Sequence, residues 1–209
     1  MINSSYYEIK QKYESLCLAK SDINEHLPVL FKYATKCESV IECGVRRCVS
    51  SWALFYGLLN NEKSNKRLLL NDICECNVDE LLSLKPDNIE IKTAWTSNLT
   101  MALDKDYDMV FIDTWHVYGQ LKRELNKFGP VVKKYIIMHD TTIDEIHSES
   151  VRNKHDLQQK MSDYDFSYED VTVGLGRAID EFIIEHPEWK VIEKLTNNNG
   201  LTVLERVNS

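Results

Sequence analysis

No apolar run in this chain approaches the roughly 20 residues that a membrane-crossing helix needs, which excludes a spanning segment. No two cysteines stand as CxxC. The six that occur, at positions 17, 37, 43, 48, 74 and 76, belong to a chain too large to need disulfide staples, and they read as reduced thiols of a cytoplasmic protein. No basic stripe is present either. The 25 Lys and Arg are dispersed among 33 Asp and Glu, and the formal net charge of -8 argues against a nucleic-acid surface and for a small-molecule partner such as a sugar. The start, MINSSYYEIKQKYES, is polar throughout and so is not read as a signal peptide. No repeat or low-complexity block occurs beyond the short run Asn197-Asn198-Asn199.

What is present suits one α/β domain with embellishments: 209 residues, 43% hydrophobic, enough for a sizeable core. Asp108-Met109-Val110-Phe111-Ile112 is a short apolar run suited to a strand buried on both faces, and it stops at Asp113. A helix is expected over 120–128, where Leu121, Leu125 and Phe128 share one face before Gly129-Pro130. A second apolar run, 135–138, then stops at His139-Asp140. Strand, helix, strand is a βαβ unit whose parallel strands put both carboxyl ends on one edge of the sheet. Asp113, His116, His139 and Asp140 can therefore converge there, where open α/β sheets bind ligands.

The rest of the chain repeats the pattern. Residues 1–37 are expected to form a helical cover, with Leu27, Leu30, Phe31 and Ala34 at helical spacing, a candidate substrate rim and dimer contact. From residue 38 onward a strand at 39–43 leads through Gly44 into a helix at 52–59, a strand at 68–70 ends in Asn71-Asp72, and one at 89–92 runs into Ser97. The stretch 141–175 is polar and acidic and reads as a lid or substrate loop. A helix at 177–185 and a hairpin of 189–195 with 201–206, turned by Asn199-Gly200, complete the domain. The whole is a Rossmann-like, doubly wound, mostly parallel sheet ending in an antiparallel hairpin.

Glu42-x-Gly44 lets backbone approach a ligand at a helix start, and Asp72 at the next strand end is placed to accept hydrogen bonds from a ribose. Taken singly, each has an ordinary alternative: a glycine after a strand makes a turn, and an acid there caps a helix. Acids and histidines at strand ends can likewise be solvated, Trp115 reads as packing, and Glu145, His147 and Glu149 read as exposed. Cys74 and Cys76 lack the second pair a zinc site requires and read as ordinary thiols.

The residues Glu42-Cys43-Gly44-Val45-Arg46-Arg47-Cys48-Val49-Ser50, with Asp72, Ser97, the block Phe111-Ile112-Asp113-x-x-His116 and Ile137-Met138-His139-Asp140-Thr141, resemble class I S-adenosylmethionine-dependent methyltransferases. The chain is most similar to the group holding macrolide-sugar O-methyltransferases and the cephalosporin hydroxylase or rhamnosyl O-methyltransferase-like proteins. The resemblance implies S-adenosylmethionine on Glu42, Gly44, Ser50, Asp72, Ser97 and Asp113, and a divalent metal, Mg²⁺ or Mn²⁺, on Asp113, His139 and Asp140. It also implies His116 as base and Asp113 as its catalytic partner. Two departures stand out. Cys48 replaces a second small glycine, which would narrow the cofactor pocket, and His139 replaces an oxygen ligand, which shifts the donor set away from Mg²⁺ toward Mn²⁺, Fe²⁺ or Zn²⁺. The expected activity is metal-assisted O-methylation of a sugar or polyol in glycan or metabolite biosynthesis, with a neutral His116 taking the acceptor proton. Rival readings are N-methylation of an amino sugar, a non-catalytic cofactor-binding relative, and an iron-dependent oxygenase using His116, His139 and Asp113.

Overall fold

The computed structural model describes residues 4–207. Residues 1–3 of the expected cover and 208–209 of the expected main domain lie outside the described residues. Two helices lead, α1 (Ser4–Leu18) and α2 (Leu27–Ala34), joined by a single 3-10 turn at Asn24–His26. Then come β1 (Ser39–Cys43), α3 (Val49–Leu59), β2 (Lys66–Asp72), α4 (Asp79–Ser83), β3 (Ile89–Trp95), β4 (Tyr107–Ile112), α5 (Tyr118–Phe128) and β5 (Val132–His139). After β5 the chain forms α6 (Glu149–Arg152), α7 (Leu157–Tyr164), α8 (Tyr168–Thr172) and α9 (Leu175–Glu185), then the hairpin β6 (Trp189–Leu195) and β7 (Leu201–Arg206).

The seven strands form one sheet in the order β3-β2-β1-β4-β5-β7-β6. The first five are parallel, and β7 is antiparallel to both β5 and β6. The central strands are mostly apolar because both faces are covered. Met109, Phe111, Tyr135 and Ile137 face the core under α1, α2 and α3, while Val110, Ile112, Ile136 and Met138 face the core under α5 and α9. Among the described residues no helix is long and apolar enough to cross a membrane.

About half of the polar stretch after Asp140 is helical, because it supplies its own helix starts. Ser148, Asp156 and Ser167 each accept a backbone N–H three residues on, and Ser167 forms a reciprocal box with Asp170.

Gly44 joins the two halves of the sheet edge. Its φ is +99°, and a Cβ there would lie 1.9 Å from the Asp113 carbonyl oxygen. The glycine that looked like a ligand approach is therefore first required by the packing of the β1 turn against the end of β4. Gly44→Ala is expected to lower unfolding stability by about 3 kcal/mol or more, or to abolish folding, as read by urea melts.

Candidate active site

The carboxyl ends of β1 to β4 open onto a cavity of about 750 Å³ whose floor includes Gly44, Asp72, Ser97 and Asp113. That is the size of a small-molecule site. Residues 162–166 at the end of α7 close its outer side, bringing Tyr164 and Phe166 against Trp115 at ring centroid distances of 4.8 and 5.6 Å. Trp115 both packs and lines the cavity. A second cavity of about 270 Å³ lies between residues 20–23 and the turn at 44–50, and it shares Gly44, Arg46 and Asp113 with the first.

The turn between β1 and α3 is held from below. Asp72 Oδ2 accepts the amides of Val45 (2.9 Å) and Arg46 (3.0 Å), and Oδ1 accepts that of Cys74 (3.0 Å). Asp72 lines the cavity as expected of a ribose-binding acid, but its carboxylate also organises the loop above it. Glu42 differs from expectation: it is fully buried and borders neither cavity. The Ser50 hydroxyl donates to its Oε1 and the Ser51 hydroxyl to its Oε2 (2.6 Å). Burial pushes the Glu42 carboxyl up to about 8, against the pull of the two serines. It fastens α3 to β1, while Ser50 also lines the smaller cavity. Cys48 does not line the larger cavity. It sits at φ 60°, the left-handed conformation that a glycine tolerates best, and its side chain turns away to the Asn77 carbonyl (3.3 Å).

At the inner end of the cavities the four strand-end residues meet. His116 Nε2 lies 3.2 Å from Asp113 Oδ1 and 3.0 Å from Asp140 Oδ2, and its Nδ1 lies 3.4 Å from Asp144 Oδ2 and 3.5 Å from Glu149 Oε2. Burial disfavours the imidazolium, yet the hydrogen bond to Asp113 and the carboxylate charges of Asp113, Asp140 and Asp144 around it hold His116 well above its usual value. The four carboxylates around the ring favour its protonated form, the opposite tendency to the neutral His116 expected from the sequence. Burial would raise Asp113, but the facing His116 and His139 rings hold it well below the usual carboxylate range.

Asp144 is fully buried and gripped by Arg152, with Nε on Oδ1 and Nη2 on Oδ2, both at 2.8 Å. The Glu149 amide donates to the His116 carbonyl (3.0 Å), so α6 clasps the histidine. Sequence reasoning missed Asp144 and Arg152 and took Glu149 for an exposed side chain. The Ser148 cap is the one local signal that a helix starts beside the site.

His139 and Asp140 complete the cluster. His139 is 2% exposed, and its Nε2 lies 3.1 Å from the Asn198 carbonyl. Its Nδ1 faces Asp113 Oδ1 and Asp140 Oδ2, each at 3.5 Å, too far for a hydrogen bond. Among the described residues, His139 Nδ1 and Asp140 Oδ1 are buried without hydrogen-bond partners. Burial opposes charge on His139, but the two carboxylates outweigh it and raise the ring to about 10. Positive charge is therefore favoured at Nδ1. Asp113, His139 and Asp140 offer ligand atoms within 4.8 Å of one another, a donor set that fits a divalent ion.

No family model matches the chain, and no curated protein matches it. Solved structures do. A methyltransferase from Podospora anserina, bound to SAH, is 14% identical over 99% of this chain and 89% of its own, with a TM-score of 0.54. An O-methyltransferase from Streptomyces achromogenes involved in tomaymycin synthesis, in complex with SAM, is 12% identical over 100% and 92%, TM-score 0.57. An N-methyltransferase from Bradyrhizobium japonicum is 10% identical over 90% and 97%, TM-score 0.56. The fold is that of the class I methyltransferases.

The Glu42 carboxyl, raised in the folded state from 4.5 to about 8, makes a signed prediction. A group whose folded pKa is raised contributes stability below the unfolded pKa, and that contribution fades as pH rises through the folded pKa. Thermal melts of the wild type should therefore lose stability between about pH 4.5 and 8 relative to Glu42→Gln. Parallel profiles for the two proteins would show Glu42 to be ionised in the fold.

Proposed function

We propose that the chain is an S-adenosylmethionine-dependent O-methyltransferase acting on a sugar or similar polyol with the help of a divalent ion. The observation that carries this reading is Asp113, which lines both cavities and also belongs to the carboxylate and histidine cluster. A donor in the large cavity and an acceptor beside the cluster would meet at that residue. The Trp115, Tyr164 and Phe166 wall suits a flat purine, and Asp72 has carboxylate lone pairs beyond its three backbone partners for a ribose hydroxyl. One imidazole and two carboxylates in the ion-binding set favour methyl transfer over the oxygenase reading, which needs two histidines and one carboxylate.

The sulfonium already activates the methyl group, so the protein's part is to hold the acceptor in line and remove its proton. Asp113, His139 and Asp140 would hold a divalent ion, which would supply Lewis acidity toward the acceptor hydroxyl and positive charge beside His116. His116 Nε2, aimed at the same two carboxylate oxygens, then takes the hydroxyl proton as the oxygen bonds to the methyl carbon and the carbon–sulfur bond breaks. Asp144 and Glu149 at Nδ1 hold the ring in place and stabilise the imidazolium that forms. Free thiols, including the exposed Cys74, fit a reducing, cytoplasmic setting, and the helical cover at 1–37 remains the candidate dimer contact.

Calorimetry with S-adenosylmethionine, followed by methyl-transfer assays on sugar acceptors with and without divalent ion, tests the reading. His116→Ala should lower kcat by about 10² to 10⁴ while cofactor affinity changes less than about threefold. Equal losses in turnover and affinity would remove His116 from the proton transfer.

A further inference from the structure

We infer that the Asp113, His139 and Asp140 site selects a first-row transition ion over Mg²⁺, and that the β6–β7 hairpin turn enforces this by fixing which nitrogen of His139 faces the ion. The inference rests on the metal-assisted reading and sharpens it. A carbonyl oxygen can only accept, so the 3.1 Å contact between His139 Nε2 and the Asn198 carbonyl keeps a proton on Nε2 and leaves Nδ1 as the nitrogen whose proton an ion would displace. Nδ1, Asp113 Oδ1 and Asp140 Oδ2 then converge with no hydrogen bond between Nδ1 and either oxygen. The buried carboxylate oxygens that face the ring are costly unless positive charge lies among them, which a proton on Nδ1 or an ion in its place supplies. Asp140 is itself held at φ 57°, a left-handed conformation that an aspartate adopts at a cost.

The turn that supplies the carbonyl is anchored on three sides. Leu201 pairs with His139 across β7 and β5, which sets the turn beside the ring. Asn199 accepts the amides of Thr142 (3.0 Å) and Ile143 (2.9 Å), from the segment that follows Asp140. The Asn198 side chain donates to the Ser21 carbonyl (2.9 Å) and accepts the Glu25 amide (3.0 Å), tying the turn to the connection that lines the smaller cavity. Gly200 has no room for a side chain, since a Cβ would lie 2.3 Å from the Thr142 hydroxyl oxygen. The hairpin thus acts as a rigid outer support for the histidine, the usual means by which a protein fixes a ligating ring. An imidazole donor is poorly matched to Mg²⁺, which prefers oxygen, and the affinity of such a site for first-row ions rises from Mn²⁺ to Co²⁺.

The test uses chelator-treated full-length protein titrated calorimetrically at one fixed pH with Mg²⁺, Mn²⁺ and Co²⁺, and separately with S-adenosylmethionine. One Mn²⁺ or Co²⁺ per chain should bind on the order of 100-fold more tightly than Mg²⁺, with Co²⁺ ahead of Mn²⁺. His139→Asp, which makes the donors all oxygen, should shrink the Co²⁺ to Mg²⁺ ratio by about 10- to 100-fold. Nitrogen NMR of the wild type with Zn²⁺ should show His139 ligating through Nδ1 with the Nε2 proton retained, a readout independent of whether the variant folds. Mg²⁺ binding as tightly as Co²⁺, an unchanged ratio in His139→Asp, or ligation through Nε2 would each overturn the inference. Mg²⁺ parity would leave metal-assisted transfer standing. Cofactor binding with no ion binding at all would remove both the inference and the metal assistance, but not methyl transfer. Ion binding as expected with no cofactor binding would support the inference while sinking the methyltransferase reading.

Discussion

Negative charge concentrated around one imidazole is the constraint on which the site depends. Asp113, Asp140, Asp144 and Glu149 all reach within 3.5 Å of His116, and they arrive from the ends of β4 and β5 and from the segment leading into α6. Carboxylates so close together repel unless cations sit among them. His116, His139 and Arg152 supply that charge, and Arg152 does so through a paired grip on a carboxylate that has no exposure at all. Removing Arg152 would leave the fully buried Asp144 charge without its strongest partner, so this pair ties down the polar segment after Asp140. This explains how a stretch with few buried apolar side chains still closes one side of a cavity.

The same contrast governs what could be read from the chain. Strands covered on both faces must be apolar along their length, so the runs ending at Asp113 and His139 were visible, as were the hairpin and its Asn-Gly turn. The edges of elements were under-read where polar residues are buried for tertiary reasons. β2 begins at Lys66, which is 3% exposed and reaches back with its ammonium to the Asn61 carbonyl at 2.9 Å. Helices α6 to α8 left almost no periodic trace. α7 buries no residue, and these short elements are held by their serine and aspartate caps and by a small apolar cluster in which Leu157 and Met161 pack against Phe166 and Val171. For the site, strand ends identified residues that share an edge, because topology alone brings them together. They could not show that Glu42 faces inward to two serines, nor that Asp144, Glu149 and Arg152 surround the histidine, since those placements depend on how a later segment folds back.

The turn from Gly44 to Cys48 shows how a floor for a ligand is built before any ligand arrives. Arg46 and Cys48 both hold left-handed conformations, which cost energy and need outside support. Asp72 gives that support by accepting the Val45 and Arg46 amides, and Gly44 is pinned by its own amide on the Asn71 carbonyl at 2.9 Å. A loop ordered in this way loses little further freedom on binding, so more of the contact energy can go into affinity and alignment. Asp72 Oδ2 is engaged by both amides of the turn and Oδ1 by the Cys74 amide, so the shape of the cavity floor depends on one carboxylate. Gly44 also abuts the carbonyl of Asp113, whose amide donates to the Cys43 carbonyl at 2.8 Å, so one continuous run of backbone contacts links the end of β2 across β1 to the cluster at the end of β4.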